Sequence, residues 1–390
     1  MTGDTSEPER WKEFAFVTFA NSFKYIPKSI WAIGFVSLFM DTSSELVHRI
    51  LPVYMFTALG ASVTSVGLIE GIAEATAMIV KVFSGTLSDL FGRRKLLTVI
   101  GYGLAALTKP LFPLADSIRL VLAARFIDRI GKGIRGAPRD ALVAEIAPDH
   151  LRGASFGLRQ SLDTVGAFIG PLLALLFMLT MAGNIKAVLW IAVIPAFIAV
   201  AILIFGVREP ASSHPAGHVR VPIHPRDIRH VGRTYWRLVG IAALLTLARF
   251  SEAFLILKGQ ATGLPIAWVP VILIGMNIVY SLTAYPAGRL SDRIDRKTVL
   301  KIGVAFLVAA DLVLAAAGSY WTLSLGIALW GLHMGFTQGL FAAMIADATP
   351  PPLRGTAFGV FNLASGFAML LASVVAGLLW GYNQKSLTGG

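Results

Sequence analysis

The 390-residue chain is 55% hydrophobic, only 14% charged and free of cysteine. With a mean hydropathy of +0.70, it is too apolar for a soluble globular domain, in which about a quarter of residues are charged. The absent thiols exclude a disulfide framework, a thiolate metal site and a cysteine nucleophile. The net charge of +12 would suggest nucleic acid in a soluble protein, but the basic residues gather in a few connections, so no nucleic-acid partner is expected.

Residues 1–28 read as a cytoplasmic amino-terminal segment. Within it Trp11–Tyr25 sets Trp11, Phe14, Phe16, Phe19 and Phe23 beside Lys12 and Lys24, the pattern of an interfacial helix. Asp4, Glu7 and Glu9 do not suit the basic start of a cleaved signal peptide. Long apolar runs follow, and about 20 residues at a rise of about 1.5 Å cross a hydrocarbon core of about 30 Å. Six spans are predicted within residues 29–207: Ser29–Ala58, Val63–Phe83, Leu96–Ala115, Ile118–Ala141, Ala154–Met178 and Ala187–Val207. Residues 208–237 form a linker rich in Pro, His and Arg. Residues 238–390 hold five more spans, Leu238–Leu257, Ile266–Ala287, Thr298–Ala317, Leu323–Ala346 and Thr356–Trp380. The short alternating segments of a β-barrel are absent. The fold class is therefore an all-α integral membrane protein.

The chain repeats itself. Gly85–Lys95 (Gly-Thr-Leu-Ser-Asp-Leu-Phe-Gly-Arg-Arg-Lys) returns as Gly288–Lys297 (Gly-Arg-Leu-Ser-Asp-Arg-Ile-Asp-Arg-Lys), each reading as a short basic turn between two apolar runs. Pro148–Gly157 likewise returns as Pro350–Gly359. The copies stand 203 (85 to 288) and 202 (148 to 350) residues apart. At that offset the counterpart of the sixth span falls where this sequence stops. The expectation is two pseudo-symmetric six-helix halves with the last helix missing, by nature or by truncation.

Lys and Arg placement sets the orientation. Arg10, Lys12, Lys24 and Lys28, the Arg93-Arg94-Lys95 turn, the linker arginines and Arg289, Arg293, Arg296 and Lys297 all fall on one side of alternating spans. The amino terminus and linker are thus expected in the cytoplasm and the carboxyl end outside, in a cell inner membrane.

The turn Gly-x-Leu-Ser-Asp-x-x-Gly-Arg-Arg-Lys resembles motif A of the major facilitator superfamily, and its second copy strengthens the resemblance. Arg125–Gly133 resembles motif B. Gly166-Ala-Phe-Ile-Gly-Pro171 resembles motif C, typical of the family's exporters. The resemblance covers residues 29–381 and implies repeat-built halves that rock around a central site. Two positions depart from the pattern: Asp295 replaces the second motif A glycine in the second copy, and Ala174 stands where exporters often carry glycine.

Gly85 would let helices approach closely. Asp89 is placed to pair with Arg93 or with the amino-terminal dipole of the eleventh span at Arg354–Thr356. By symmetry Asp292 would face Arg152–Ala154. Gly85, Asp89, Gly92, Arg93, Arg94, Gly288, Asp292, Arg152 and Arg354 are therefore the expected gating residues, whose contacts form when the cytoplasmic side is closed.

Ionisable residues in a bilayer cost several kcal/mol each unless they pair or line water. Asp41, Glu45 and His48 share a face of the first span, and Glu70, Glu74 and Lys81 a face of the second. Arg125, Asp128 and Arg129 form a stripe on the fourth, and Arg249 and Glu252 pair on the seventh. With Lys109 these are the expected cavity residues. Glu45 and Glu252 each follow a serine at corresponding places, and Asp41, one turn from Glu45, marks the first span as proton carrier. Arg159 and Asp163 read as an ion pair that supports helix structure. His214, His218, His224 and His230 lie in the linker and read as a solvated connector, and His333 as a packed polar residue, so neither metal nor cofactor is expected.

The sequence thus points to a monomeric secondary transporter that carries a small organic solute with protons by alternating access, in the export direction. A basic cavity would alternatively suit proton-coupled uptake of an anionic metabolite or iron chelate. The rival from another class is a receptor or scaffold that does not transport. No nucleophile–base pattern or phosphate-binding loop supports an enzyme.

Overall fold

The computed structural model describes residues 24–60, 63–210, 231–249, 255, 258, 259, 261–264 and 269–388; the side chains of 63–75, 269–270, 373–374 and 376–388 are not described. Among the described residues every regular element is helical, and eleven helical spans follow in order. The amino-terminal half holds α1 (Lys28–Thr57), α2 (Val63–Phe91), α3 (Arg94–Thr108, followed by the turn Leu111–Leu114), α4 (Ile118–Ile146), α5 (Arg152–Thr180) and α6 (Ile185–Ile191, continued as Val193–Gly206). The other half holds α7 (Arg233–Ala248), α8 (Val269–Ser291), α9 (Arg296–Ala315), α10 (Tyr320–Asp347) and α11 (Arg354–Thr388). Seven are long and apolar enough to cross a membrane by length and composition alone. The segment Trp11–Tyr25 falls almost wholly, and most of the linker, with Glu252, wholly, outside the described residues.

Several helices run further than apolar content predicts, and three show why. α2 continues through Ser84–Phe91, so most of the first basic "turn" is helix and only Gly92 and Arg93 separate α2 from α3. The extension is stable because its polar face is buried in protein: the Ser84 hydroxyl donates to the Gly133 carbonyl of α4 at 2.9 Å. α4 runs to Ile146 rather than Ala141, with Arg125, Asp128, Arg129 and Arg135 buried against neighbouring helices. α7 starts at Arg233, inside the expected linker. There Tyr235 is fully buried and its hydroxyl donates to the Ala357 carbonyl of α11 at 3.0 Å, which anchors a turn that looks polar in sequence.

The halves meet along two repeat-related seams, α5 on α8 and α2 on α11. At the end carrying the basic turns, Phe156 of α5 and its repeat mate Phe358 of α11 pack on each other with ring centroids 6.0 Å apart. Both belong to a hydrophobic cluster drawn from both halves. That end of the bundle is closed by apolar packing on the pseudo-two-fold axis.

Candidate functional site

The seams carry two matched latches. In the first, the buried Asp89 carboxylate at the end of α2 reaches across to the start of α11. It accepts from the backbone N–H of Gly355 (2.9 Å) and Thr356 (2.6 Å) and from the Thr356 hydroxyl (2.8 Å). These are the first amides of α11, which lack partners within the helix and carry the positive end of its dipole. In the second, Asp292 after α8 accepts from the N–H of Gly153 (2.7 Å) and Ala154 (2.8 Å) at the start of α5. Burial raises the Asp292 carboxyl above its ordinary value, against the lowering influence of the two amides and of Arg296.

Both latches depend on glycines that let backbones touch. A Cβ built on Gly85 would lie 2.2 Å from the Gly355 carbonyl oxygen, and one on Gly288 2.3 Å from that of Gly153. Any larger residue would push the carboxylate out of reach of its amides.

An arginine backs each aspartate. In the first latch it is Arg94, not Arg93: Arg94 is buried, with Nη2 3.2 Å from Asp89 Oδ1, while Arg93 is exposed. Gly92 takes φ +59°, a left-handed conformation that favours glycine, and this turns Arg93 outward and Arg94 inward. Arg94 Nη1 also meets Glu145 at 3.0 Å, and Nη2 donates to the Pro351 carbonyl of the other half at 2.6 Å. The second copy is one residue shorter. Asp295 sits at φ −55° and flanks the start of α9, so no left-handed residue is needed where the motif departs from glycine. Arg296, the first residue of α9, then takes the place of Arg94, 3.6 Å from Asp292 and paired with Asp347. Asp347 also pairs across the seam with Arg152, whereas Arg354 donates to the Ala144 carbonyl at 3.1 Å. Glu145 and Asp347 were missed in the sequence, although they stand 202 residues apart and so are repeat mates.

Inside the amino-terminal half, Lys109 Nζ lies 2.9 Å from Asp128 Oδ1, and both residues are buried. Arg129 Nε (3.5 Å) and Arg125 Nη1 (3.9 Å) face the same carboxylate. Arg125 Nη2 donates to His48 Nδ1 at 2.6 Å, which ties α4 to α1. These groups are buried among helices rather than spread over an open surface. Glu45 pairs with Arg49 one turn on, at 3.4 Å. Lys81 lies partly buried beside Gly136 of α4. The side chains of Glu70 and Glu74 are outside the described set. Arg249 sits with His333, Gln338 and Asn362 around a cavity of about 100 Å³, and its Nη1 is 2.7 Å from Met334 Sδ. His333 is buried, its Nδ1 2.8 Å from the Gly303 carbonyl oxygen.

The motif C residues press α5 onto α1. A Cβ on Gly166 would lie 2.3 Å from the Leu38 carbonyl oxygen, and one on Gly170 2.7 Å from that of Thr42. Pro171, next in line, lines a cavity of about 350 Å³ between α1, α5 and α8, with Arg49, Phe168 and Asn277 on its wall. Ala174 is buried in the same helix.

A family description, Major Facilitator Superfamily, matches residues 32–278 and 253–383. The chain belongs to that superfamily. An uncharacterized MFS-type transporter of Methanocaldococcus jannaschii is 34% identical over 365 residues, covering 91% of this chain and 89% of that protein. Quinolone resistance protein NorA of Staphylococcus aureus is 23% identical over 367 residues, covering 90% of each. The solved structure of the human organic anion transporter MFSD10 superposes with a TM-score of 0.74 at 16% identity, covering 90% of this chain and 92% of that one. As a member of the superfamily the chain is a multi-pass membrane transporter of small molecules, not an enzyme.

Proposed function

We propose that this transporter exports a small organic solute in exchange for inward-moving protons by alternating access. It works as a monomer in the cytoplasmic membrane, with the amino terminus and basic turns inside. The observation that carries the reading is the pair of latches. Each joins a carboxylate of one half to the helix start of the other, so both must break when the halves rock apart. An export direction draws on the motif C glycines between α5 and α1 and on the resistance named for NorA. Orientation draws on the one-sided distribution of Lys and Arg. The uptake of an anion would call on the basic residues of α3 and α4, and it is weakened by the commitment of Lys109 to Asp128.

The test is the purified full chain in liposomes loaded with a pH-sensitive dye, with an imposed pH gradient and a quinolone followed by a pooled metabolite set as probes. Solute-dependent proton movement, with solute driven opposite to the proton, is expected. Proton and solute moving together would favour uptake, and a folded protein that moves neither would favour a scaffold.

A further inference from the structure

The sequence directs attention to Asp41 and Glu45 of the first span as proton carriers, but Glu45 already has a counter-ion in Arg49. A different carboxylate stands beside Asp41. Asp163 of α5 faces Asp41 of α1 where the two helices cross. Two carboxylates brought this close repel when both are ionised, and sharing one proton relieves that repulsion. We infer that Asp41 and Asp163 form a single proton-binding dyad between α1 and α5, and that this pair is the exchangeable proton site of the transporter. The inference rests on the proton-coupled reading above and names its residues.

The packing holds the dyad in place. Leu38 and Thr42, on either side of Asp41, are the two points where α1 backbone meets Gly166 and Gly170 of α5. Asp163 precedes Gly166 by about one turn, so the glycines of motif C bring the two carboxyls together. The surroundings tolerate either charge state. From α4, Arg139 Nη1 is 3.6 Å from Asp163 Oδ1 and also donates to the Ser37 hydroxyl, one turn before Asp41, at 3.3 Å. Arg159 Nη1 stands at 3.6 Å from the same Asp163 oxygen, and Gln160 Nε2 donates to Asp163 Oδ2 at 3.4 Å. Lys132 and Arg135 of α4 face Asp41 at longer range, Asp140 occupies Arg139 from its far side, and Tyr280 of α8 faces Asp163. Tyr102 of α3 touches both Arg139 and Arg135. With the proton bound, the dyad carries one negative charge; without it, two. Several cations stand ready for the second.

The site also borders the seam that must shear. Two residues before Asp163, the Ser161 hydroxyl donates to the Ser281 carbonyl of α8, in the other half. The Asp163 side chain keeps 19% of its surface exposed, which leaves a route for the proton. Proton uptake thus changes the charge next to an inter-half contact.

Infrared difference spectra of the full chain in lipid nanodiscs, stepped from mildly acidic to mildly alkaline buffer, read the carbonyl stretch of a carboxylic acid that loses its proton. The wild-type band should disappear in Asp41→Asn and Asp163→Asn, persist with a shifted frequency in Asp163→Glu, and persist unchanged in Glu45→Gln. Asp163→Asn takes a carboxylate from Arg139 and Arg159; should it fail to fold, Asp41→Asn and Asp163→Glu still decide. A wild-type protein without the band, or a band lost in Glu45→Gln and kept in Asp41→Asn, overturns the dyad while solute-dependent proton movement in liposomes would leave coupling standing. A band that behaves as expected in a protein that moves no protons overturns the coupling reading and leaves the dyad.

Discussion

The two latches were built from one sequence unit, yet they are held in different ways. Asp89 has three donors from α11 and a buried arginine behind it. Asp292 has two amides, because Ala154 stands where the first latch has Thr356, and its arginine is more distant at 3.6 Å. The second latch adds instead an ionic cluster in which Arg152 and Arg296 share Asp347, whose side chain is 40% exposed. A buried charge-assisted hydrogen bond contributes about 1.5–3 kcal/mol, whereas an exposed ion pair contributes roughly 0–1 kcal/mol and is screened by salt. The first latch should therefore carry most of the closed state, and the second should act as its salt-sensitive partner.

That comparison can be broken most strongly at Asp89. Asp89→Asn aims an amide nitrogen at N–H donors and should shift the closed-to-open ratio by roughly 2–3 kcal/mol, about 30- to 150-fold. Cysteine labelling at the basic-turn end, in a chain with no native cysteine, reads this as faster modification. Asp292→Asn should cost about 1–2 kcal/mol, or roughly 5- to 30-fold by the same readout. Thr356→Ala removes the one donor that distinguishes the latches and should cost about threefold to tenfold; Ala154→Thr should strengthen the second latch by a similar factor. Arg152→Gln should change the ratio by less than about threefold at low ionic strength and not at all in high salt.

Much of this was legible in the chain. Apolar runs of the right length gave the spans, and the repeat offset paired Asp292 with the start of α5, because a carboxylate and a helix start at matching distances need only symmetry to be matched. The choice of Arg94 over Arg93 was not legible, since it follows from the left-handed turn at Gly92. Helix ends were misjudged where polar residues are buried by a neighbouring helix of the same half, as at Ser84 against α4 and Tyr235 against α11. Asp163 read as one member of a pair within a helix because spacing shows neighbours on one helix and not the helix that packs against it. The arrival of Asp41 depends on the crossing of α1 and α5, which the motif C glycines permit but do not announce.

The most direct test of the unequal latches is a distance measurement by paired spin labels at Phe91→Cys and Pro352→Cys, both exposed positions that flank the α2–α11 seam. The full chain is compared in lipid nanodiscs as the label-bearing parent, with Asp89→Asn and with Asp292→Asn. A single short distance in the parent, a large longer-distance population with Asp89→Asn and a smaller one with Asp292→Asn is the predicted result. Equal shifts from the two variants, or a larger shift from Asp292→Asn, would contradict it.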